Sequence, residues 1–330
     1  MEEEAHPAAV AVDRAGGRCY PRPASERDPP EVSLSTIGIP CPAAPRSTRR
    51  RLLLGTLLLA GTLCSCFGSR QQAQTLKDAE LHYQLGDGAF RDHQIPEALR
   101  ELMLALKLNP QHAQAEHLLG FIYMGRQEYD RAAEHFRRAV TLEPDFRVAR
   151  NNLGTSLLAL CRWSEAAEVF RELDADPLYA TPFIAKNNLG LALLHQGQRE
   201  EAVAQFQRAV FLNPSFCVGF NNLGMTLLEL ERFEDAARAL QQALAVDPSC
   251  TRSYAEPHFH LGRLHEKLGD RQRAHAEYSR CVELTEGQLD LSLGCGQVPV
   301  GRRCSEKVRQ LQQLEQSAPW PEAPGGAGGR

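Results

Sequence analysis

The 330-residue chain is short of the groups that chemistry and nucleic-acid binding need. Its 37 Lys and Arg face 41 Asp and Glu, a formal charge of −4, so there is no basic field to hold a phosphate backbone. No Gly-x-Ser-x-Gly, His-Glu-x-x-His or Cys-x-x-Cys occurs. Gly296-Gln-Val-Pro-Val-Gly301-Arg302 echoes a phosphate loop, but it lacks the Lys-Ser/Thr and follows no strand-like run. His258, His260 and His265 lie close together at offsets that do not put all three on one helical face, so no metal site is expected. No enzyme, cofactor, small-molecule substrate or nucleic-acid partner is expected. A long apolar run is missing too: Leu52–Leu63 spans about a dozen residues, whereas a membrane-crossing helix needs roughly 20.

What the chain does have is a repeat. Gly86, Gly120, Gly154, Gly190, Gly224 and Gly262 recur at or near a period of 34, each followed twelve residues later by Ala98, Ala132, Ala166, Ala202, Ala236 or Ala274. An aromatic residue or Leu holds the next packing position, at Leu102, Phe136, Phe170, Phe206, Leu240 and Tyr278. Pro110, Pro144, Pro214 and Pro248 close four units, because Pro cannot continue a helix. This is the tetratricopeptide pattern, a helix–turn–helix unit that stacks into a solenoid. It predicts an all-α, right-handed superhelical solenoid of six tetratricopeptide repeats at 79–112, 113–146, 147–182, 183–216, 217–250 and 255–288. A loop and capping helix over 289–316 follow (Val308, Leu311 and Leu314 on one face), then a disordered tail over 317–330. Two places break the period: Asp174–Pro182, which lengthens the third repeat to 36 residues, and the four extra residues Thr251–Tyr254. Each is either a plain loop or a partner contact.

The front end reads differently. Residues 1–45, rich in Pro, Ala and charge, carry no periodicity and are expected to be disordered. Arg46, Arg49, Arg50 and Arg51 then precede the apolar run, and Leu63-Cys64-Ser65-Cys66 ends it, so 46–65 reads as a signal peptide. The last four residues resemble the bacterial lipobox, in which the Cys is acylated and becomes the mature N-terminus. The expectation is a covalent lipid on Cys66, loss of residues 1–65, and a polar tether over 66–78. An uncleaved anchor, or a signal cut elsewhere, is the alternative. A signal starting near residue 46 also suggests translation from a later codon, such as that of Val32 or Leu34. Phe67 stands where the lipoprotein pattern places Asp for retention in the inner membrane, which implies the outer membrane.

Cys161, Cys217, Cys250, Cys281, Cys295 and Cys304 remain beyond Cys66. Cys295 and Cys304 flank one short loop and form a possible disulfide in an oxidising periplasm; the others read as buried small apolar residues.

The first helix of each tetratricopeptide unit lines the concave surface. The repeat register puts Tyr83, Phe90, Phe121, Met124, Leu158, Ile184, Leu191, Leu194, Val218, Met225 and Leu228 there as a partner-binding groove. The alternative is that several of them complete helix packing. Asn152, Asn188 and Asn222, each from an Asn pair just before Leu-Gly, would offer amides to the backbone of a bound segment.

Asp176-Pro-Leu-Tyr-Ala-Thr-Pro-Phe-Ile-Ala-Lys-Asn-Asn-Leu-Gly190 resembles the junction between the third and fourth repeats of the type IV pilus pilotins of the PilF/PilW type, most closely their myxobacterial members. The resemblance covers about residues 66–286. It implies a lipoprotein on the periplasmic face of the outer membrane, anchored through its acyl chains. Such a protein binds the pilus secretin and promotes its localisation and multimerisation. Some family members pair cysteines in the third and fourth repeats; Leu158 and Ala192 stand at those places here, so that bridge is not implied. The competing reading is a general periplasmic adaptor lipoprotein that scaffolds another envelope assembly.

Overall fold

A computed structural model describes residues 53–247, 250, 254–286 and 298–317, with side chains from Arg70 onward. The expected leader 1–45, the arginines before the apolar run, Cys295 and all but the first residue of the tail lie outside these residues. Among the described residues there are thirteen α-helices and no strand. They are α1 Leu53–Arg91, α2 Ile95–Leu108, α3 Ala113–Gly125, α4 Tyr129–Leu142, α5 Arg147–Ala159, α6 Trp163–Ala175 and α7 Pro182–His195. There follow α8 Arg199–Leu212, α9 Cys217–Glu229, α10 Phe233–Ala245, α11 Glu256–Lys267, α12 Arg271–Thr285 and α13 Val300–Ser317. The pairs α1/α2 to α11/α12 are the six repeats. The segment 66–78, expected as a polar tether, is helical and belongs to α1, which runs unbroken through Cys66 into the first repeat. No helix among the described residues is long and apolar enough to cross a membrane.

The helices form because each buries a stripe at 3.6-residue spacing. In α4 that stripe is Ala132, Ala133, Phe136 and Ala139, and in α8 it is Ala202, Val203, Phe206 and Ala209. The repeat glycines face the second helix so closely that a methyl group on Gly154 would stand 2.6 Å from the Phe170 ring, and one on Gly190 2.6 Å from Phe206. Every turn inside a repeat passes through the left-handed region, seven residues after that glycine. His93, Gln127, Cys161 and Glu231 hold φ near 60° there, and Gly197 and Gly269 hold 82° and 78°.

The described helices fall into two compact units, one ending at Ala115 and one beginning at Glu116. In the first, α1 packs on α2: Gly86 faces Leu102 and Ala98, and His82 Nδ1 lies 2.6 Å from Glu101 Oε2. In the second, each helix from α4 to α13 packs on the next, and α5, α7, α9 and α11 also touch in succession along the stack.

The end of the stack is closed as expected by an amphipathic cap, α13, which begins at Val300 within the expected 289–316. Leu311 and Cys304 of α13 join Phe259, Ala274, Tyr278 and Cys281 in one core cluster, while Leu314 faces solvent. Lys307 reaches Glu266 at 3.0 Å, and the Tyr278 hydroxyl donates to the same carboxylate at 2.5 Å. Cys304 is bonded to Cys281, not to Cys295. The sequence pointed to the shorter loop, but helix packing puts Cys281 of α12 directly against Cys304 of α13, with a Cα separation of 6.1 Å. Cys217 and Cys250 form a second bridge, from the first residue of α9 to the segment after α10. Cys161 is disulfide-bonded as well, so the expectation that the helical cysteines are buried thiols is corrected.

Candidate protein-binding surface

The expected groove residues separate by burial. Leu158, Leu191 and Leu194 are fully buried, and Ile184, Met225 and Leu228 nearly so. These six belong to the core rather than to an open groove. α7 shows why: it packs on α5, α6, α8 and α9, and every residue from Asn187 to Leu194 is buried. A helix enclosed on all sides presents no free apolar stripe. What keeps a surface is α3 and the start of α9, where Phe121 is 37% exposed and Met124 and Val218 are half-buried. In the first unit Tyr83 and Phe90 are half-buried, and the Tyr83 ring lies 4.7 Å from that of His112, tilted by 42°.

The asparagines are also interior. Asn152, Asn188 and Asn222 are at most 2% exposed, and they bond to the protein rather than to a guest. Asn222 Nδ2 donates to Asn187 Oδ1 of the preceding repeat at 2.9 Å, and Asn187 Nδ2 donates to Asn188 Oδ1 at 3.2 Å. Two repeats earlier, Asn152 Nδ2 meets His117 Nε2 at 3.2 Å in the same register. Burial lowers the His117 pKa to about 4, so its ring is neutral and can accept that bond.

This inter-repeat bond forms where successive glycines are 34 residues apart, from Gly120 to Gly154 and from Gly190 to Gly224. At the lengthened junctions the register is lost. The equivalent acceptor between the third and fourth repeats, Asn151 Oδ1, is buried without a hydrogen-bond partner. Between the fifth and sixth, Asn221 Oδ1 and the hydroxyl of the inserted Tyr254 are likewise buried without a hydrogen-bond partner. The two interruptions seen in the sequence therefore act on the interior of the stack.

The first interruption is itself ordered. Asp176 accepts from Arg147 Nε at 2.6 Å and from the Leu178 amide at 2.9 Å, and the Arg147 hydrogen bond holds its carboxyl below the usual range. Lys186 pairs with Asp174 at 2.5 Å, and Tyr179 is buried. Leu178 is left 73% exposed, and Phe211, in the last turn of α8, 83% exposed. Neither was picked out by the concave-face register, because both belong to second helices or the turns after them.

Among the described residues no group of three or more His, Cys, Asp or Glu is placed to hold a metal. The stack offers shape, apolar surface and paired charge, which suits binding rather than bond-making.

Comparison with known proteins agrees. The tetratricopeptide repeat model matches residues 83–145, 117–180 and 221–288, and a second tetratricopeptide model matches 183–216. The type IV pilus assembly protein PilF of Pseudomonas aeruginosa is 30% identical over 172 residues, covering 50% of this chain and 68% of that protein. The crystal structure of PilW, a widely conserved type IV pilus biogenesis factor, superposes with a TM-score of 0.57 at 25% identity, covering 71% of this chain and 98% of PilW. The structure of Pseudomonas aeruginosa PilF shares the fold, with a TM-score of 0.55 at 20% identity over 73% of this chain and 99% of that one. The chain belongs to the tetratricopeptide-repeat family and, within it, is related to the PilF and PilW type IV pilus biogenesis proteins.

Proposed function

We propose that this chain is a pilotin: a tetratricopeptide lipoprotein, anchored through acylated Cys66 at the periplasmic face of the outer membrane, that promotes localisation and multimerisation of the type IV pilus secretin. The observation that carries the reading is the 30% identity to PilF over 172 residues, in a chain whose repeats follow the lipobox-like Leu63-Cys64-Ser65-Cys66. Relatives that act in pilus assembly work at the cell envelope, and disulfides at Cys217–Cys250 and Cys281–Cys304 suit an oxidising compartment there. The junction at Asp176–Gly190 resembles that of the myxobacterial pilotins, and the proposed role follows that resemblance.

In this reading the acyl chains hold the protein on the membrane, since two or more chains give stable anchoring. The repeat surface around Phe121 and Met124 covers an apolar secretin segment until secretin subunits pair with one another. Each apolar side chain so covered contributes roughly 1.5–3 kcal/mol before association costs. Buried Leu191 is no probe of this surface, because a charge there would disrupt the core; Phe121→Glu is the variant to use.

The test is outer-membrane fractionation of a deletion strain, probing for heat- and detergent-resistant secretin multimers beside monomer. Loss of multimers with monomer retained, restored by the wild-type gene and poorly by Cys66→Ala, is the expected result. Unchanged multimers in the deletion strain sink the pilotin reading and leave a general envelope adaptor.

A further inference from the structure

The register that builds the repeats also exposes a vacancy in one of them. Four residues before each repeat glycine, and fifteen after it, two side chains face each other between the helices of a pair. In three repeats they are a His and a Glu: His82 with Glu101 at 2.6 Å, His135 with Glu116 at 2.6 Å, and His258 with Glu277 at 2.7 Å. The third and fourth repeats have Arg150 with Val169 and Lys186 with Gln205 at these positions. The fifth has Phe220 with Ala239, the smallest second member of the six.

The missing bulk leaves a recess of about 260 Å³ among α8, α9 and α10. Phe220, Leu223, Leu227 and Ala239 make its apolar floor. A dry cavity of about 150 Å³ already accepts a benzene ring, so this one has room for an aromatic side chain. Its rim is charged. Asp235 is shared by Arg232, at 2.5 Å, and by Arg238, and these two hydrogen bonds hold its carboxyl below the usual range. Two guanidiniums on one carboxylate leave a net positive charge at the mouth. One helical turn past Gln207, which also lines the recess, stands the exposed Phe211.

We propose that this recess docks an aromatic side chain carried by an acidic segment of a protein partner. The floor takes the ring, and the unneutralised arginine charge at the rim takes a flanking carboxylate. The surface is separate from α3, so the inference stands whether or not the chain is a pilotin.

The experiment uses the purified full chain and fluorescein-labelled, end-blocked pentapeptides read by anisotropy: Asp-Glu-Phe-Glu-Asp, the same peptide with Ala for Phe, and Lys-Lys-Phe-Lys-Lys. The acidic aromatic peptide is expected to bind at least about tenfold more tightly than either control. Ala239→Leu, which fills the recess, and Arg238→Glu, which reverses a solvent-exposed rim charge, should each remove most of that preference. If Ala239→Leu fails to fold, Arg238→Glu and salt dependence decide the matter. Equal binding of the basic peptide, binding that survives Arg238→Glu, no binding at about 1 mM, or occupation of the recess by a second copy of the chain each overturns the proposal.

Discussion

In the third, fourth and fifth repeats the first helices α5, α7 and α9 carry Asn-Asn pairs, and those of α7 and α9 are joined by a buried amide bond between repeats. The sixth repeat has Phe259-His260 at the same positions, and among the described residues α13, not a seventh repeat, follows it. There α13 supplies the missing face: Phe259 enters the cap core, Arg303 lies 4.3 Å above its ring, and Cys281–Cys304 bonds cap to repeat. Interior repeats are thus held by what their neighbours offer, and the terminal one by a cap and a covalent bond. A solenoid unit cannot bury its own apolar face, so where the array stops something else must do it.

The largest expected break in this comparison comes from the cap. Paired Cys281→Ser and Cys304→Ser changes remove a cross-link between residues 23 apart in sequence, a loss of about 3 kcal/mol. Hydrogen exchange should show α12 and α13 opening first, with α7 and α9 still protected; uniform loss of protection would mean the cap and the middle form one cooperative unit.

Acid should act on both regions. His117 has a folded pKa of about 4 and His260 about 3, each lowered chiefly by burial from an ordinary 6.5. The unfolded chain therefore binds these protons first. Their contribution is complete above about pH 6.5 and is lost as pH falls toward 4, by up to about 3 kcal/mol per site. Urea unfolding at intervals through that window checks this, and His117→Gln should flatten part of the slope; an unchanged slope would show that His117 is not one of its sources.

A smaller effect distinguishes the two kinds of junction. Asn222→Ala leaves the buried Asn187 Oδ1 without its donor and should cost about 1–3 kcal/mol. Asn151→Ala removes an acceptor that already has no partner and should cost clearly less. Equal costs in chemical denaturation would show that the inter-repeat amide bond contributes nothing.

The smallest change tests the turns. Glu231→Gly relieves a left-handed non-glycine residue at φ 58° where Gly197 and Gly269 serve in two other repeats, and should raise stability by about 1 kcal/mol. A fall in melting temperature would mean that the Glu231 side chain matters more than its backbone.

The repeat count, most helix boundaries and the cap were legible because they depend on spacing. Gly154 must sit where Phe170 will be, and that requirement is local to one helix pair. The site was less legible. The same register that marks Leu191 and Leu194 as concave-facing does not say how tightly α5, α7 and α9 close on one another, and in the folded chain α7 is buried between its neighbours from Asn187 to Leu194. Asn222 reads as a peptide contact because amides recurring just before Leu-Gly suit an extended segment; the preceding repeat, at a 34-residue interval, takes that amide for itself. The recess over Phe220 leaves no mark in the sequence, because a small residue such as Ala239 carries no signal until its opposite member is known.

By itself the sequence determined the all-helical repeat architecture, since hydrophobic period, small-residue spacing and Pro punctuation are properties of one unit and its immediate partner helix. Only the tertiary structure decided which cysteines join, which apolar residues keep a surface and where the asparagine bonds lapse. Those outcomes depend on distances between residues far apart in the chain, set by how successive repeats pack, and an insertion of two or four residues is enough to change them.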